Sequence, residues 1–217
     1  MKNISLVSTL MTLLLSTSLS FAAPAVAPLE TPDALVKRIS LEVVDIAKAD
    51  KEIQEGNQKK VLELVETKVL PFVNFQRMTS LAAGRFWRDA TPDQQKQLTN
   101  EFRTLLVFTY SGAISQVKDQ KMNFKPLRAD PADSEVEVRT EVVPARGEPI
   151  QLNYRLEKLP AGWKIYDINV LGAWLVETYK GNFAAEISKA GIDGLIKALA
   201  ERNKKLAAGG VKVAKPS

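Results

Sequence analysis

The chain has 217 residues and a formal net charge of +5 at pH 7, and it contains neither cysteine nor histidine. Without these side chains no cysteine–histidine or serine–histidine nucleophile can be assembled, and zinc loses its preferred ligands. Its cations are interleaved with acids, which argues against a nucleic-acid partner. The composition therefore favours a protein that is not an enzyme and needs no cofactor or metal.

The first 22 residues have the pattern of a secretory signal peptide. Lys2 gives the positive start, Ile4–Leu19 the apolar stretch, and Ser20-Phe21-Ala22 a small-residue cleavage site. We therefore predict an exported protein with a signal peptide at 1–22, a single α+β domain at 23–206 and a flexible tail at 207–217.

Apolar residues at helical spacing predict three helices at the start of the mature chain, at about 31–56, 58–69 and 72–83. Thr31 followed by Pro32 is a typical helix start. Leu70-Pro71 ends the second of these helices, because proline cannot donate the next backbone hydrogen bond.

A fourth, longer helix is predicted from Thr91-Pro92-Asp93 to about Asp119, and its middle is unusual. Residues 105–114 (LLVFTYSGAI) carry no charge, and bulky apolar side chains lie on every side of these turns. A helix that is apolar all round is buried all round. Since this run is far shorter than the roughly 20 apolar residues that span a bilayer, we expect protein, a ligand, or both to surround it.

The second half of the chain alternates apolar and polar residues, which is typical of antiparallel strands with one covered face. Strands are predicted at 134–143, 150–157 and 163–171, with a weaker strand at 123–128, and helices at 173–179 and 183–206. Helices, then strands, then helices indicate an α+β fold, with helices packed on one face of a curved antiparallel sheet.

Two long segments resemble the toluene-tolerance family of exported proteins, which includes the periplasmic phospholipid-binding component of the Mla system. They are VLPFVNFQRMTSLAAGRFWRDATPDQQKQLTNEFRTLLVFTYSGAI (Val69–Ile114) and LPAGWKIYDINVLGAWLVETYKGNFAAEISKAGIDGLIKAL (Leu159–Leu199). The resemblance implies an NTF2-like sheet with an added helical subdomain, enclosing an apolar cavity for the acyl chains of a glycerophospholipid. It also implies a periplasmic shuttle between an outer-membrane lipoprotein–porin complex and an inner-membrane ABC transporter. We expect the protein to be a monomer.

The candidate lipid-binding residues are apolar side chains from the helices and strands of the two resembling segments and the strand between them. They are Phe72, Phe75, Met78, Leu81, Phe102, Leu105, Leu106, Phe108, Tyr110, Ile114, Tyr154, Ile168, Val170, Trp174, Leu175 and Tyr179. For any one of them, an ordinary core position is the alternative interpretation. Those at 72–78, beside a proline, and those at 108–114 are the strongest candidates for a cavity lining.

Two other functions stay open. One is a ketosteroid-isomerase-like small-molecule enzyme on the same sheet, in which Asp167 would be a base beside Tyr154 or Tyr166. Regular alternation places Tyr166 and Asp167 on opposite faces, and we expect Asp167 to face solvent at a strand end. The other is an envelope adaptor that binds only proteins, which predicts a fully packed interior.

Overall fold

The structure is a computed structural model that describes residues 30–209. The predicted signal peptide and the end of the predicted tail lie outside those residues. Within them the helices are α1 (Pro32–Ala49), α2 (Lys51–Gln54), α3 (Gln58–Lys68), α4 (Phe75–Ala83), α5 (Pro92–Tyr110) and α6 (Leu175–Gly209). Short 3-10 segments lie at Leu70–Phe72, Gly84–Arg88 and Ser111–Gln116. The strands are β1 (Lys121–Phe124), β2 (Glu135–Val138), β3 (Thr140–Val143), β4 (Ile150–Leu159), β5 (Gly162–Val170) and β6 (Ala173–Trp174).

The first predicted helix is divided into α1 and α2 at Asp50. This residue has an extended backbone, and its side chain accepts hydrogen bonds from the backbone N–H groups of Glu52 and Ile53. A side chain that satisfies the free N–H groups of a first turn starts a new helix. The chain therefore turns after Ala49, and the expected continuous helix to residue 56 is wrong.

The long helix α5 begins where the sequence predicted and ends earlier. Thr91 accepts from the backbone N–H of Gln94, and the Gln94 side chain accepts from the N–H of Thr91. This reciprocal pair is a capping box. After Tyr110 the chain tightens into the 3-10 segment that contains the buried Gly112, a residue with poor helix propensity. The prediction of one α-helix to Asp119 is therefore corrected.

The final helix α6 consists of two helical segments joined at Gly191, where φ is 72° and ψ is −178°. Glycine adopts this backbone conformation without a steric penalty, so the predicted interruption falls at this glycine. The predicted gap between 179 and 183 is helical instead. The helix also extends through residues 207–209, which were expected to belong to a frayed tail.

The strands form one antiparallel sheet in the order β1-β3-β4-β5-β6, and β2 also pairs with β4. The predicted strand at 134–143 is divided at Arg139 into β2 and β3, which pair with successive parts of β4. Both predicted hairpins, β3–β4 and β4–β5, are present. The prediction of an α+β fold is confirmed, and the NTF2-like character of the sheet stays a prediction.

A β-bulge interrupts the pairing of β4 with β5. Arg155 lies opposite Asp167 and Leu156 lies opposite Ile165, so Tyr166 has no partner in the register. An extra residue shifts the alternation of side chains along its strand. As a result Tyr166 and Asp167 both lie on the polar face of the sheet, although regular alternation would separate them.

Within residues 30–209, buried apolar side chains form three clusters. The helical cluster joins α4, α5 and α6 through residues such as Met78, Phe102 and Phe183. The sheet cluster packs α1 against the inner face of β2, β4 and β5 through residues such as Val36 and Leu156. A smaller N-terminal cluster joins α1, α2 and α3. Apolar side chains of the helices thus pack on the inner face of the sheet, and the helical and sheet clusters meet at Val73 and Ile168.

Candidate functional site

Six of the predicted lining residues are fully buried in the helical cluster. They are Met78, Phe102, Leu105, Leu106, Leu175 and Tyr179. The ring of Phe102 packs edge-on against the rings of Tyr179 and Phe183, with centroids 4.9 Å apart in each pair. Aromatic contacts of this geometry are typical of a closely packed core. These six side chains therefore hold the helices together.

Eight other predicted lining residues keep part of their surface accessible. They are Phe72, Phe75, Phe108, Tyr110, Ile114, Tyr154, Ile168 and Val170. Phe72 and Tyr154 pack against the sheet cluster, whereas Phe75, Tyr110 and Val170 pack against the helical cluster. Ile168 packs against both of these clusters, and Ile114 packs against the N-terminal cluster.

We use the name seam for Phe72, Val73, Tyr154 and Ile168. Phe72 and Tyr154 pack against the sheet cluster, and they neighbour Val73 along the chain and Ile168 across the pairing of β4 with β5. Val73 and Ile168 pack against both clusters at once. The sequence analysis missed Val73, because it lies off the helical spacing that selected Phe72 and Phe75. The seam is the part of the predicted lining that the fold brings together between helices and sheet.

Two predicted lining residues lie elsewhere. Leu81 is on the outer side of α4 and is 39% exposed. Trp174 pairs with Asn169 on the polar face of the sheet, where the Arg155 guanidinium lies 3.8 Å from the centre of its ring. Neither side chain is brought to the seam.

Tyr154 combines enclosure with accessible surface. Burial raises the pKa of its hydroxyl to about 12, even though contacts with Ser40 and Thr140 act in the opposite direction. The residue as a whole is half-buried, and it packs against the sheet cluster. Tyr154 therefore lies at the border of that cluster.

The segment that carries Phe72 and Phe75 is fastened to the edge of β5. The backbone N–H of Asn74 donates to the carbonyl of Ile165 at 2.7 Å. The Asn74 side chain accepts from the backbone N–H of Arg77 at 3.0 Å, which caps α4, and donates to Glu157 at 2.7 Å. One asparagine thus starts the helix and ties it to the sheet.

A second attachment, the Arg77 clamp, consists of Arg77, Glu135, Glu157 and Tyr166. The guanidinium donates to Glu157 at 2.5 Å and to Glu135 at 2.6 Å, and it lies 4.0 Å from the centre of the Tyr166 ring. The Tyr166 hydroxyl donates to Glu135 at 2.8 Å. The hydrogen bond from Arg77, and then that from Tyr166, holds the pKa of Glu135 below its ordinary value. Because α4 covers this place, Glu157 is only 8% exposed, although it lies on the polar side of β4.

Asp167 is 1% exposed, so the expectation that it faces solvent is also wrong. Its carboxylate accepts from the backbone N–H groups of Ile168 at 2.9 Å and Val176 at 3.1 Å, and it forms an ion pair with Arg155 at 3.4 Å. Burial raises its pKa, and these two backbone hydrogen bonds oppose the change. The carboxylate holds the start of α6 on the polar face, opposite the side that bears Tyr154. Asp167 and Tyr154 therefore do not come together as the base and proton donor of an isomerase-like site.

A surface groove of about 360 Å³ lies beside the seam. It is lined by Leu70, Val73, Asn74, Phe75, Arg103, Leu159 and Lys164. Sequence reasoning selected only Phe75 of these residues. A usable signal was present, because all seven lie inside the two segments that carry the family resemblance. A larger depression of about 750 Å³ lies along α3, where polar residues such as Lys59 and Glu63 line it, and it is separate from the seam.

Within residues 30–209, no group of three or more carboxylates is placed to hold a metal ion. No helix in that part of the chain is both long enough and apolar enough to cross a membrane. What the site offers is apolar surface between helices and sheet, with charged groups at the adjoining groove.

The fold and site therefore define a helix-and-sheet protein with an apolar seam inside it. The chain belongs to the MlaC family, since the model of the "MlaC protein" family matches residues 37–201. The family predicted from the two resembling segments is confirmed.

Individual relatives agree with this assignment. The "intermembrane phospholipid transport system binding protein MlaC" of Haemophilus influenzae is 24% identical over 152 residues, which cover 65% of this chain and 71% of the relative. The "toluene tolerance protein ttg2D" of Pseudomonas putida is 24% identical over 165 residues, 76% of each chain. A solved structure of a phospholipid-binding protein from Ralstonia solanacearum, in complex with a phospholipid, is 46% identical. It superposes with a TM-score of 0.78 and covers 82% of this chain and 99% of that one.

Proposed function

We propose that this protein is a periplasmic carrier of glycerophospholipid. The acyl chains lie between the helices and the sheet, and the protein carries the lipid, as a monomer, between the outer and inner membranes. Its partners are an outer-membrane lipoprotein–porin complex and an inner-membrane ABC transporter. The names of the two curated relatives and the phospholipid bound in the solved neighbour support this proposal.

The observation that carries the proposal is the likeness to the solved phospholipid complex, which is 46% identical to this chain and superposes on it with a TM-score of 0.78. In this chain, Val73 and Ile168 are apolar and half-buried, and they pack against both the helical and the sheet clusters. An apolar boundary that is not fully buried suits the hydrocarbon of a lipid.

The energetics of a carrier favour an apolar lining that holds the lipid only moderately. Two acyl chains have about 30 methylenes, each worth roughly 0.8 kcal/mol when removed from water, for a gross gain of about 25 kcal/mol. The bilayer that the lipid leaves solvates its tails equally well, so most of this gain is offset. A carrier therefore needs an apolar lining that matches a membrane without exceeding it.

The proposed function involves no catalysis and no cofactor, with the phospholipid as cargo. The domain limits at 1–22, 23–206 and 207–217 belong to the same proposal, with export by the signal peptide placing the protein between the two membranes. The described residues supply chemistry suited to binding, namely apolar surface at the seam and carboxylates engaged in ion pairs and helix capping.

The proposal is tested by mass spectrometry of the protein produced in a bacterial periplasm. We expect phospholipid to co-purify, and we expect the delipidated protein to take up phospholipid from liposomes. Protein that is empty as isolated and that takes up no lipid would contradict the proposal.

A matched pair of variants locates the lipid. Ile168→Glu places a charge at the seam and should abolish loading, whereas Leu81→Glu places the same charge on an exposed apolar residue and should leave loading unchanged. Equal loading of both variants would show that the lipid does not use the seam. Circular dichroism checks that each variant is folded.

A further inference from the structure

The groove beside the seam combines apolar walls with two cations. Leu70, Val73, Phe75 and Leu159 supply the apolar surface, Asn74 contributes an amide, and Arg103 and Lys164 supply positive charge. No carboxylate is among the lining residues. Glu157 contacts Asn74 from behind, and its negative charge is already engaged by Arg77. The groove is therefore electropositive.

Lys164 is held in place at this groove. Its ammonium group donates to the carbonyl of Pro71 at 2.5 Å and lies 5.7 Å from the centre of the Phe72 ring. An ammonium has three donors, so the bond to Pro71 leaves others for a ligand. Within residues 30–209, neither Lys164 nor Arg103 forms an ion pair with a carboxylate.

The apolar side of the groove is continuous with the interior. Val73 lines the groove and also packs against both the helical and the sheet clusters, and Phe75 lines the groove and packs against the helical cluster. The apolar walls of the groove therefore adjoin the seam, where the proposed function places the acyl chains. A polar group joined to those chains would remain beside the two cations.

We infer that Arg103 and Lys164 form a binding site for the phosphate of the glycerophospholipid at the mouth of this groove. The inference rests on the proposed function and adds the position of the polar end of the cargo. A guanidinium binds two phosphate oxygens at once, and an ammonium binds phosphate as a point charge. The site selects lipids that carry phosphate over neutral lipids with the same acyl chains.

The test compares phosphatidylglycerol with diacylglycerol of identical acyl chains, each present as the same small fraction of phosphatidylcholine vesicles. Delipidated protein is incubated with the vesicles, and the loaded lipids are counted by mass spectrometry. The wild-type protein should prefer phosphatidylglycerol, and Arg103→Gln combined with Lys164→Gln should reduce that preference about tenfold. The control, Arg88→Gln with Lys121→Gln, removes the same charge from exposed residues outside the groove and should keep the preference.

Inorganic phosphate separates a lipid headgroup from a free anion. Delipidated protein is therefore also titrated with inorganic phosphate in a calorimeter. No binding at millimolar phosphate supports the headgroup assignment. Phosphate that binds the wild type and not the double variant, in a protein with no preference for phosphatidylglycerol over diacylglycerol, overturns it in favour of a free-phosphate site. An unchanged preference in the double variant also overturns the inference. A wild-type protein that takes up neither lipid contradicts the proposed function instead. The single variant Arg103→Gln repeats the test at an exposed side chain, where substitution leaves the fold intact.

Discussion

Replacing Arg77 by methionine tests whether the Arg77 clamp holds α4 to the sheet. Arg77 binds one nearly buried carboxylate, Glu157, and one more exposed carboxylate, Glu135, at 2.5 and 2.6 Å. Without the guanidinium, Glu157 keeps only the hydrogen bond from Asn74. Methionine keeps a similar apolar stem over Tyr166, so the change removes mainly the charge and its donors.

The magnitude follows from the burial of the three groups. Removing one partner of a fully buried ion pair costs about 3–5 kcal/mol, but the Arg77 side chain is 26% exposed and that of Glu135 is 49% exposed, so solvent screens part of the interaction. We therefore expect the free energy of unfolding to fall by about 2–3 kcal/mol. For a domain of this size, the melting temperature should fall by roughly 5–10 °C.

Urea unfolding at pH 7 measures this change, and a second substitution isolates its cause. Arg77→Met combined with Glu157→Gln should recover about 1–2 kcal/mol of the loss, because no uncompensated buried charge remains. The control Arg88→Met, at an exposed arginine, should change stability by less than about 0.5 kcal/mol. Equal losses for Arg77→Met and Arg88→Met would refute the role of the clamp.

Three further outcomes are expected. Because the folded-state pKa of Glu135 lies below its ordinary value of 4.5, its stabilising contribution is present above pH 4.5 and is lost as the pH falls through the folded-state pKa. Glu135→Gln should therefore flatten the acid loss of stability, and parallel pH curves would contradict this. Asp167→Asn keeps an acceptor for the two backbone N–H groups, so its free energy of unfolding should stay within about 1 kcal/mol of that of the wild type at pH 7. Asp167→Ala removes the acceptor and should lose about 2 kcal/mol, as measured by urea unfolding. If Asp167→Asn were less stable than Asp167→Ala, the capping role of Asp167 would be refuted. Ile168→Phe should reduce lipid loading with little change in melting temperature, whereas in a solid core the same change costs about 1–3 kcal/mol.

The sequence was sufficient for the order and type of most elements. Thr91 and Gln94 specify the start of α5, and the alternation around Val136 and Leu156 specifies strands with one covered face. These are local signals, because a capping box or a two-residue period is set by neighbouring residues. The family resemblance added what local patterns lack, namely a link between the elements and a ligand.

The division between core and seam could not be predicted. Phe102 and Phe75 both face inward by periodicity, but Phe102 is completely buried and Phe75 is partly accessible. Periodicity identifies the side of a helix that faces the interior, and it contains no information on how completely the interior is filled. Arg103 and Lys164 meet through the tertiary fold alone, so the charged part of the groove was equally hidden.

Because of the bulge in β5, Tyr166 is an extra residue of that strand with no partner on β4. If the strand were shortened by this one residue, Ile165 would be followed by Asp167 and Ile168, and each would keep the side of the sheet that it occupies now. The protein would lose two interactions of Tyr166, namely the contact of its ring with the Arg77 guanidinium and the hydrogen bond from its hydroxyl to Glu135. The attachment of α4 to the polar face of the sheet can therefore be changed without changing which side chains lie on the inner, apolar face.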